Sequence, residues 1–419
     1  MRKILIAVFT FAFSIVNTQW SMVNGQRSMV NGQRSMVNGQ RSMVNGQWSM
    51  DISEVLAALE CANDYFIAKY PDAGAPTFVK KSRPSNLWTR GVYFEGLYAL
   101  ADLERQLGGE KTDAYFQYIL DWGNAHKWTP RNGVKTRDAD DYCCSQTYLD
   151  MGHPQPTIEC MDNLIACRNV PQTQGNGSST GSYGDWTWID AIQMGLPVLS
   201  KLSEMCRLKG DPDYLRYAEQ GWQMYRTSRD SIAGGFFNRK EGLWWRDKDF
   251  VAPFTTPGGK NCYWSRGNGW VYAALVRAMD ALPSDPHYND YKKDYLMMTR
   301  ALLRCQQPDG YWYASLADPT DFGGKELTGT ALFIYGMAWG VRQGILPAKK
   351  YVPIIYNVWQ TMVRDCLHPN GFLGYVQGTG KEPKDSQPVT YDREPDFDDY
   401  GLGCFLLCGT EIIKMMNGT

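Results

Sequence analysis

GDWTWIDAIQMGLPVLSKLSEM, residues 184–205, is the stretch whose reading decides the fold. Ile189, Ile192, Leu196, Leu199 and Leu202 recur at spacings of three and four, the period of a helix that buries one face. Asp190 follows Trp186 and Trp188, which places it in the second turn of a helix over 186–208. The helix dipole holds a carboxylate there charged, and burial among the rings pushes it toward neutrality. That tension is typical of an acid tuned for proton transfer. The plainer alternative is a water-facing Asp that complements the dipole, and spacing alone weighs the two equally.

The same period runs outward on both sides. It predicts helices over 52–69, 89–107, 111–126, 141–151, 157–168, 213–228, 267–282, 288–306, 326–344, 350–366 and 398–416, twelve with the first. Aromatic, Gly-rich loops join them; GGFFNRKEGLWWRD (234–247) reads as a short hairpin, and PDGYWYASLADPTDFGGKE spans 308–326. Strand-like runs are few, which excludes a parallel-sheet enzyme. Twelve helices make six hairpins, arranged as an open solenoid or a closed toroid. A solenoid shows a repeat of fixed length, and these pairs share none. The expectation is an all-α toroid whose inner helices line a cavity, with residues 51–419 forming one domain.

Composition narrows the function. The 419 residues are 43% hydrophobic and carry a formal net charge of -1, so no basic field exists for nucleic acid. The 15 Trp and 25 Tyr suit stacking on sugar rings, although most must be core. Arg2 and Lys3 followed by the apolar run Ile4 to Val16 read as a signal peptide over 1–19, too short for a comfortable membrane span. No later segment reads as a membrane helix. The expected compartment is therefore the periplasm or the medium of a bacterium. SMVNGQR follows three times from Ser21, with a fourth copy ending in Trp48. Adjacent Met-Val and the recurrent Asn-Gly argue against a coiled coil, and 20–50 reads as a disordered spacer. The 11 Cys lack metal-site spacing, Cys404 and Cys408 read as buried thiols, and with four His no metal and no cofactor are expected.

Four constellations carry potential chemistry, all at helix starts. Asp190 with Trp186 and Trp188 is the first. DADDYCCSQTY (138–148) places three acids in four residues, more than one N-cap needs, which draws attention to Asp140 and Asp141. In YWSRGNGWVYAAL (263–275), Gly-Asn-Gly can admit backbone to a ligand, and Arg266 between Trp264 and Trp270 can grip a carboxylate. A cation–π core contact is the alternative for Arg266. In KELTGTALFIYGMAWG (325–340), Thr328 and Thr330 could meet an anion, but capping alone is the stronger reading.

Together these segments resemble the unsaturated glycuronyl hydrolases of glycoside hydrolase families 105 and 88, with the closer resemblance to the unsaturated rhamnogalacturonyl hydrolases of family 105. It extends from about residue 51 to the C-terminus. WIDAIQMGLP resembles the family's W-x-D-x-x-x-M-x-x-P, YWSRGNGW its W-x-R-G-N-G-W and ELTGTALF its E-x-S-G-T-A. The resemblance implies an (α/α)6 barrel, with Asp190 as catalytic acid, Asp140 as the second active-site acid, and Arg266 and Trp270 among the substrate-binding residues. Asp141, Trp186, Trp188, Met194, Trp245, Arg246, Trp264, Thr328 and Thr330 complete the candidate binding set. One departure stands out: GLWWRDKDF carries Arg246 where related sequences tend to carry His.

The implied partner is an oligosaccharide ending in a 4,5-unsaturated uronic acid, of rhamnogalacturonan type first. Asp190 would protonate C4 and Asp140 would orient water or hold the proton on Asp190. Two rivals remain, an inactive glycan-binding protein that does not need Asp190 and a sugar epimerase on the same toroid. The epimerase generally relies on several His, whereas His126, His153, His287 and His368 lie outside the four constellations.

Overall fold

The computed structural model describes residues 50–78, 82–167 and 186–418, together with the paired strands β1 (Met43–Val44) and β2 (Gln47–Trp48). The signal-peptide reading and most of the heptapeptide spacer lie outside the described residues. The β1–β2 pair, antiparallel with Met43 opposite Trp48 and Val44 opposite Gln47, lies within that segment.

Thirteen α-helices follow among the described residues: α1 (Ile52–Lys69), α2 (Trp88–Leu107), α3 (Thr112–Ala125), α4 (Ala139–Tyr142), α5 (Ser145–Asp150), α6 (Gln155–Ala166), α7 (Asp190–Leu208), α8 (Leu215–Asp230), α9 (Ser265–Ala281), α10 (Tyr288–Cys305), α11 (Leu327–Arg342), α12 (Ala348–Cys366) and α13 (Asp399–Gly418). The expected helix over 141–151 is split into α4 and α5 by Cys143-Cys144. Among the described residues, strands are confined to β1–β2, β3 (Thr77–Phe78) with β4 (Ser82–Arg83), and the expected hairpin, β5 (Phe237–Asn238) with β6 (Leu243–Trp244).

Packing closes the ring. α2 packs on α5, α5 on α7, α7 on α9, α9 on α11, α11 on α13, and α13 back on α2. The outer helices α3, α6, α8, α10, α12 and α1 lie against α2, α5, α7, α9, α11 and α13 respectively. This is the (α/α)6 toroid. Burial separates the two rings. Every residue of α11 from Leu327 to Val341 is buried, whereas α12 buries only spaced positions such as Tyr351, Ile355, Trp359 and Met362. α2 and α13 approach so closely that a Cβ on Gly96 would stand 2.6 Å from the Gly403 carbonyl oxygen. One outer helix separates successive inner helices, so the inner six run parallel and their N-termini gather at one mouth. Cys404 and Cys408 are buried in α13, as their spacing implied. Among the described residues no helix is long and apolar enough to cross a membrane.

Candidate active site

Backbone pairing ties the entrances of the inner helices together. Trp188 bridges Asp247 in antiparallel fashion, and the Ile189 N–H donates to the Arg246 carbonyl at 2.9 Å. Because 188–189 is engaged in this pairing, α7 begins at Asp190 rather than at 186, and Asp190 opens the first turn instead of the second. The β5–β6 hairpin thereby delivers Arg246 and Asp247 to the start of α7. Asn268, from the Gly-Asn-Gly motif, pins that hairpin. Its Oδ1 accepts from the Trp244 N–H at 2.8 Å, and its Nδ2 donates to the carbonyls of Trp244 and Trp264 at 3.0 Å. The motif's glycines serve packing: a Cβ on Gly269 would stand 2.9 Å from Leu332 of α11.

Asp190 is buried but for 8% of its surface. Arg246 Nε donates to its Oδ2 at 3.1 Å, while Arg246 Nη1 donates to Asp247 Oδ2 at 2.7 Å. Nη2 makes no hydrogen bond among the described residues, and the guanidinium stays one-fifth exposed. One cation therefore serves two carboxylates and keeps part of its fork unused.

Asp138 caps α4 by accepting from the Asp140 N–H at 3.1 Å. The Asp140 carboxyl itself accepts no hydrogen bond among the described residues. Burial first, then the negative charges of Asp138 and Asp190, push it well above the usual carboxylate range, with Arg246 opposing. That mutual influence places Asp140 and Asp190 in one electrostatic cluster. Asp141, by contrast, turns into its own loop. It accepts from Arg131 Nη1 at 2.9 Å, Asn132 Nδ2 at 3.0 Å and Thr136 Oγ1 at 2.6 Å. Burial pushes its carboxyl up, and the bonds from Thr136 and Asn132 oppose the rise. Both oxygens are committed, so the structure gives Asp141 the task of shaping the 131–141 loop rather than meeting a ligand.

Several expected binding residues belong to the core. Arg266 is 1% exposed, donates to the carbonyls of Gln377 and Gly378, and lies over the rings of Trp264 and Tyr400 at 4.5 and 5.0 Å. The cation–π contact offered as the alternative is present, and the guanidinium is closed off from solvent. Trp264 donates to Gln377 Oε1 at 2.9 Å, Trp270 packs edge-on against Trp88, and Trp186 donates to the Tyr142 hydroxyl at 3.0 Å; all three are enclosed. Met194 is buried in α7. Thr328 bonds to Glu326, which is the N-cap of α11 in place of either threonine, and Thr330 Oγ1 accepts from the Trp312 N–H at 3.2 Å. Trp188 and Trp245 remain partly exposed beside the Arg246 segment, so they are the candidate platforms.

The sequence reading missed three participants. Asp247 shares Arg246 with Asp190, and adjacency to Arg246 could have flagged it. Trp88 opens α2, partly exposed, with its ring against Trp270 and Tyr400; a Trp at a helix start was the available signal. Gln377 organises the loop over α9 by bonding Trp264, Arg266 and Tyr400, and nothing in its sequence context marks it. The four imidazoles pack on Trp122, Trp128, Trp222 and Tyr391, and none bonds to Asp140, Asp190 or Arg246. Among the described residues, no group of three or more His, Cys, Asp or Glu could hold a metal ion.

Comparison with known proteins finds a family match and similar structures. The sequence pattern of Glycosyl Hydrolase Family 88 matches residues 59–416. An unsaturated 3S-rhamnoglycuronyl hydrolase of Alteromonas sp. is 31% identical over 354 residues, covering 80% of this chain and 79% of the relative. A protein of the same description from Formosa agariphila is 27% identical over 344 residues, covering 78% of this chain and 84% of the relative. The solved structure of a glycosyl hydrolase family 88 protein from Bacteroides vulgatus superposes with a TM-score of 0.71 at 27% identity, over 87% of this chain and 100% of that one.

Proposed function

Since this chain belongs to Glycosyl Hydrolase Family 88, we propose that it is a glycosidase that removes a 4,5-unsaturated uronic acid from the non-reducing end of lyase-generated oligosaccharides. The observation that carries the reading is the acid pair Asp140 and Asp190 around Arg246, at the mouth where six helix N-termini converge. The C4=C5 bond of such a sugar is a vinyl ether. Asp190 delivers a proton to C4, which leaves an oxocarbenium-like centre at C5. Water adds to C5 and returns a proton to the Asp190 carboxylate, with Asp140 orienting that water. The hemiketal opens to a C5 ketone, and the hemiacetal left at C1 releases the neighbouring sugar. The carboxylate spacing that sorts retaining from inverting glycosidases does not apply, because the bond attacked first is C=C.

For the released sugar we take rhamnose, in rhamnogalacturonan-type substrates and in the 3S-rhamnoglycuronyl type for which both relatives are named. Mixing the protein with several classes of lyase-generated unsaturated oligosaccharide tests the reading. Loss of the ultraviolet absorbance of the conjugated double bond is expected, fastest with rhamnose-linked substrates and abolished by Asp190→Asn with the fold intact. No loss with any class, or full activity in the variant, overturns it. We further propose export to the periplasm or medium, supported by Arg2, Lys3 and the apolar run Ile4 to Val16. N-terminal sequencing of the native protein should find the run removed, and a retained Met1 in the cytoplasmic fraction would sink the idea.

A further inference from the structure

Two acid-bearing helix starts meet at the mouth, and one buried side chain bonds to both from below. Glu95 stands on α2, one turn after Gly91, and is 2% exposed. Its Oε1 accepts from the Cys143 thiol at 3.5 Å, and its Oε2 accepts from Gln193 Nε2 at 3.1 Å. Cys143 lies three residues after Asp140, and Gln193 three residues after Asp190, so each donor sits one helical turn beneath an acid. Arg277 of α9 supplies the counter-charge, with Nη2 at 3.5 Å from Oε2. All of these neighbours are donors, the company that an ionised, acceptor-only carboxylate requires.

Each acid is thereby held from above and from below. Over Asp190, the Ile189 N–H donates to the Arg246 carbonyl at 2.9 Å. Under it, Gln193 gives its side chain to Glu95, and its carbonyl accepts from Gln146 Nε2 at 3.0 Å. Over Asp140, the Asp138 side chain caps the helix at 3.1 Å; under it, Cys143 is bound to Glu95. α4 packs on both α2 and α7, and Gly91 lets the chain come close. A Cβ there would stand 3.2 Å from Cys143 Sγ and from the Cys144 backbone nitrogen. For stability alone such a buried ion pair is dispensable, because well-packed apolar side chains of similar volume often hold a fold equally well. We propose that Glu95 is a positioning residue for the hydrolysis: its carboxylate ties the Asp140 turn of α4 to the Asp190 turn of α7 and so fixes where the two acids stand.

Hydration of the C4=C5 bond needs one acid aimed at C4 and the other at the water that adds to C5. An error of about 1 Å in a reacting group costs up to about 100-fold in rate. α4 is a single turn, and Asp190 is the first residue of α7, so neither acid is placed by a long run of its own helix. Glu95 supplies what is missing, because α2 is a full inner helix buried from Thr89 to Leu97. The partners also foretell how substitutions behave. Gln193 Oε1 is buried with no partner among the described residues. In Glu95→Gln the Gln193 amide can turn over and accept from the new N–H, so the tie to α7 survives without charge. Arg277 keeps its two bonds to Gln146 at 2.7 and 3.0 Å. Glu95→Met cuts both ties at once.

The proposal rests on the hydrolase reading, and steady-state kinetics on lyase-generated unsaturated disaccharides separate the two. Rates are taken per folded molecule, with the folded fraction read by circular dichroism. Glu95→Met is expected to lower kcat by about 100-fold and leave KM within about threefold, since Arg246, Trp188 and Trp245 are not among the partners of Glu95. Glu95→Gln should recover kcat to within about fivefold of wild type. Gln193→Met, which cuts only the tie to α7, should cost about tenfold in kcat alone and nothing more when added to Glu95→Met. If Glu95→Met does not fold, Glu95→Met with Arg277→Met removes both charges together and takes its place. A merely structural Glu95 would lower Tm while kcat per folded molecule stays within about threefold of wild type, and that result overturns the proposal. So does Glu95→Gln as slow as Glu95→Met, or Gln193→Met costing as much beside Glu95→Met as alone. Wild-type protein that leaves every class of unsaturated disaccharide intact overturns the hydrolase reading and the proposal together. Active wild type with an equally active Glu95→Met overturns the proposal alone.

Discussion

Replacing Asp141 with Asn tests the division of labour between two neighbouring acids. The Asp141 carboxylate accepts from Arg131, Asn132 and Thr136, and its side chain is 4% exposed. Asn keeps one acceptor oxygen. Its amide turns a donor toward groups that already donate, and the charge on Arg131 loses its partner. A bond to a charged group is worth about 1.5–3 kcal/mol and a neutral one about 1, so the expected cost is about 3 kcal/mol. Unfolding entropy of roughly 2.1 cal/mol/K per residue over roughly 350 described residues converts this to a fall in Tm of about 4 °C. Asp140→Asn should behave oppositely. Asp140 has no carboxyl hydrogen bond to lose among the described residues, and Asn carries no charge into a half-buried site where Asp138 and Asp190 repel one. Its Tm should hold or rise while turnover disappears. Differential scanning calorimetry at neutral pH, beside the absorbance assay for the double bond, reads both variants. If Asp141→Asn keeps its Tm and loses turnover as Asp140→Asn does, then Asp141 faces the ligand and the structural assignment is refuted.

Asn268→Ala strands the Trp244 N–H and removes a donor from the carbonyls of Trp244 and Trp264, a cost of about 3 kcal/mol. Because β6 carries Arg246 to Asp190, turnover should fall by more than the Tm shift alone explains; a variant with lowered Tm and normal kcat would break that link. Asp399, buried at the start of α13 beside Arg90, has its carboxyl raised to about 6, chiefly by burial. The native state then binds this proton more tightly than the unfolded chain. The stabilisation is complete below about pH 4 and is lost as pH rises through about 6, a decline of about 3 kcal/mol. Asp399→Asn should remove that part of the slope of stability against pH, and denaturant unfolding from pH 4 to 7 checks it: parallel slopes for the two proteins would refute the assignment.

The helices were legible because each carries its own periodicity, and their observed limits fall within a few residues of the expected ones. Ring closure was less so; it was inferred from the lack of a fixed repeat, whereas the structure shows it in α13 packing on α2. Site residues divided by how local their causes are. Asp190 drew notice as a carboxylate at an aromatic-rich helix start, and Asp140 as one of three acids in four residues, more than one N-cap needs. Arg266 misled because its surroundings come from the distant loop around Gln377, which supplies two carbonyls and closes it off from solvent. The Trp residues misled in the same way: a ring that suits a sugar also suits a core, and Trp186, Trp264 and Trp270 fill the barrel. Arg246 was noticed as a departure from the family, but its bond to Asp190 spans 56 positions and cannot be read from spacing.

Why such a site removes one terminal sugar follows from what lies beneath it. One turn after Asp140, Cys143 donates from its thiol to Glu95 Oε1 at 3.5 Å. Glu95 also accepts from Gln193 at 3.1 Å and faces Arg277 at 3.5 Å, and Arg277 in turn donates to Gln146 at 2.7 and 3.0 Å. These side chains come from α2, α5, α7 and α9, so the network spans the barrel from wall to wall. On its far side lies a separate cavity of about 450 Å³, bordered by Asp150, Lys201, Tyr335 and Glu411 among others. The floor is polar but mutually satisfied in large part, and opening it would expose buried charge, so a sugar chain has no path through the axis. Of a linear oligosaccharide, a closed-ended pocket admits only the end.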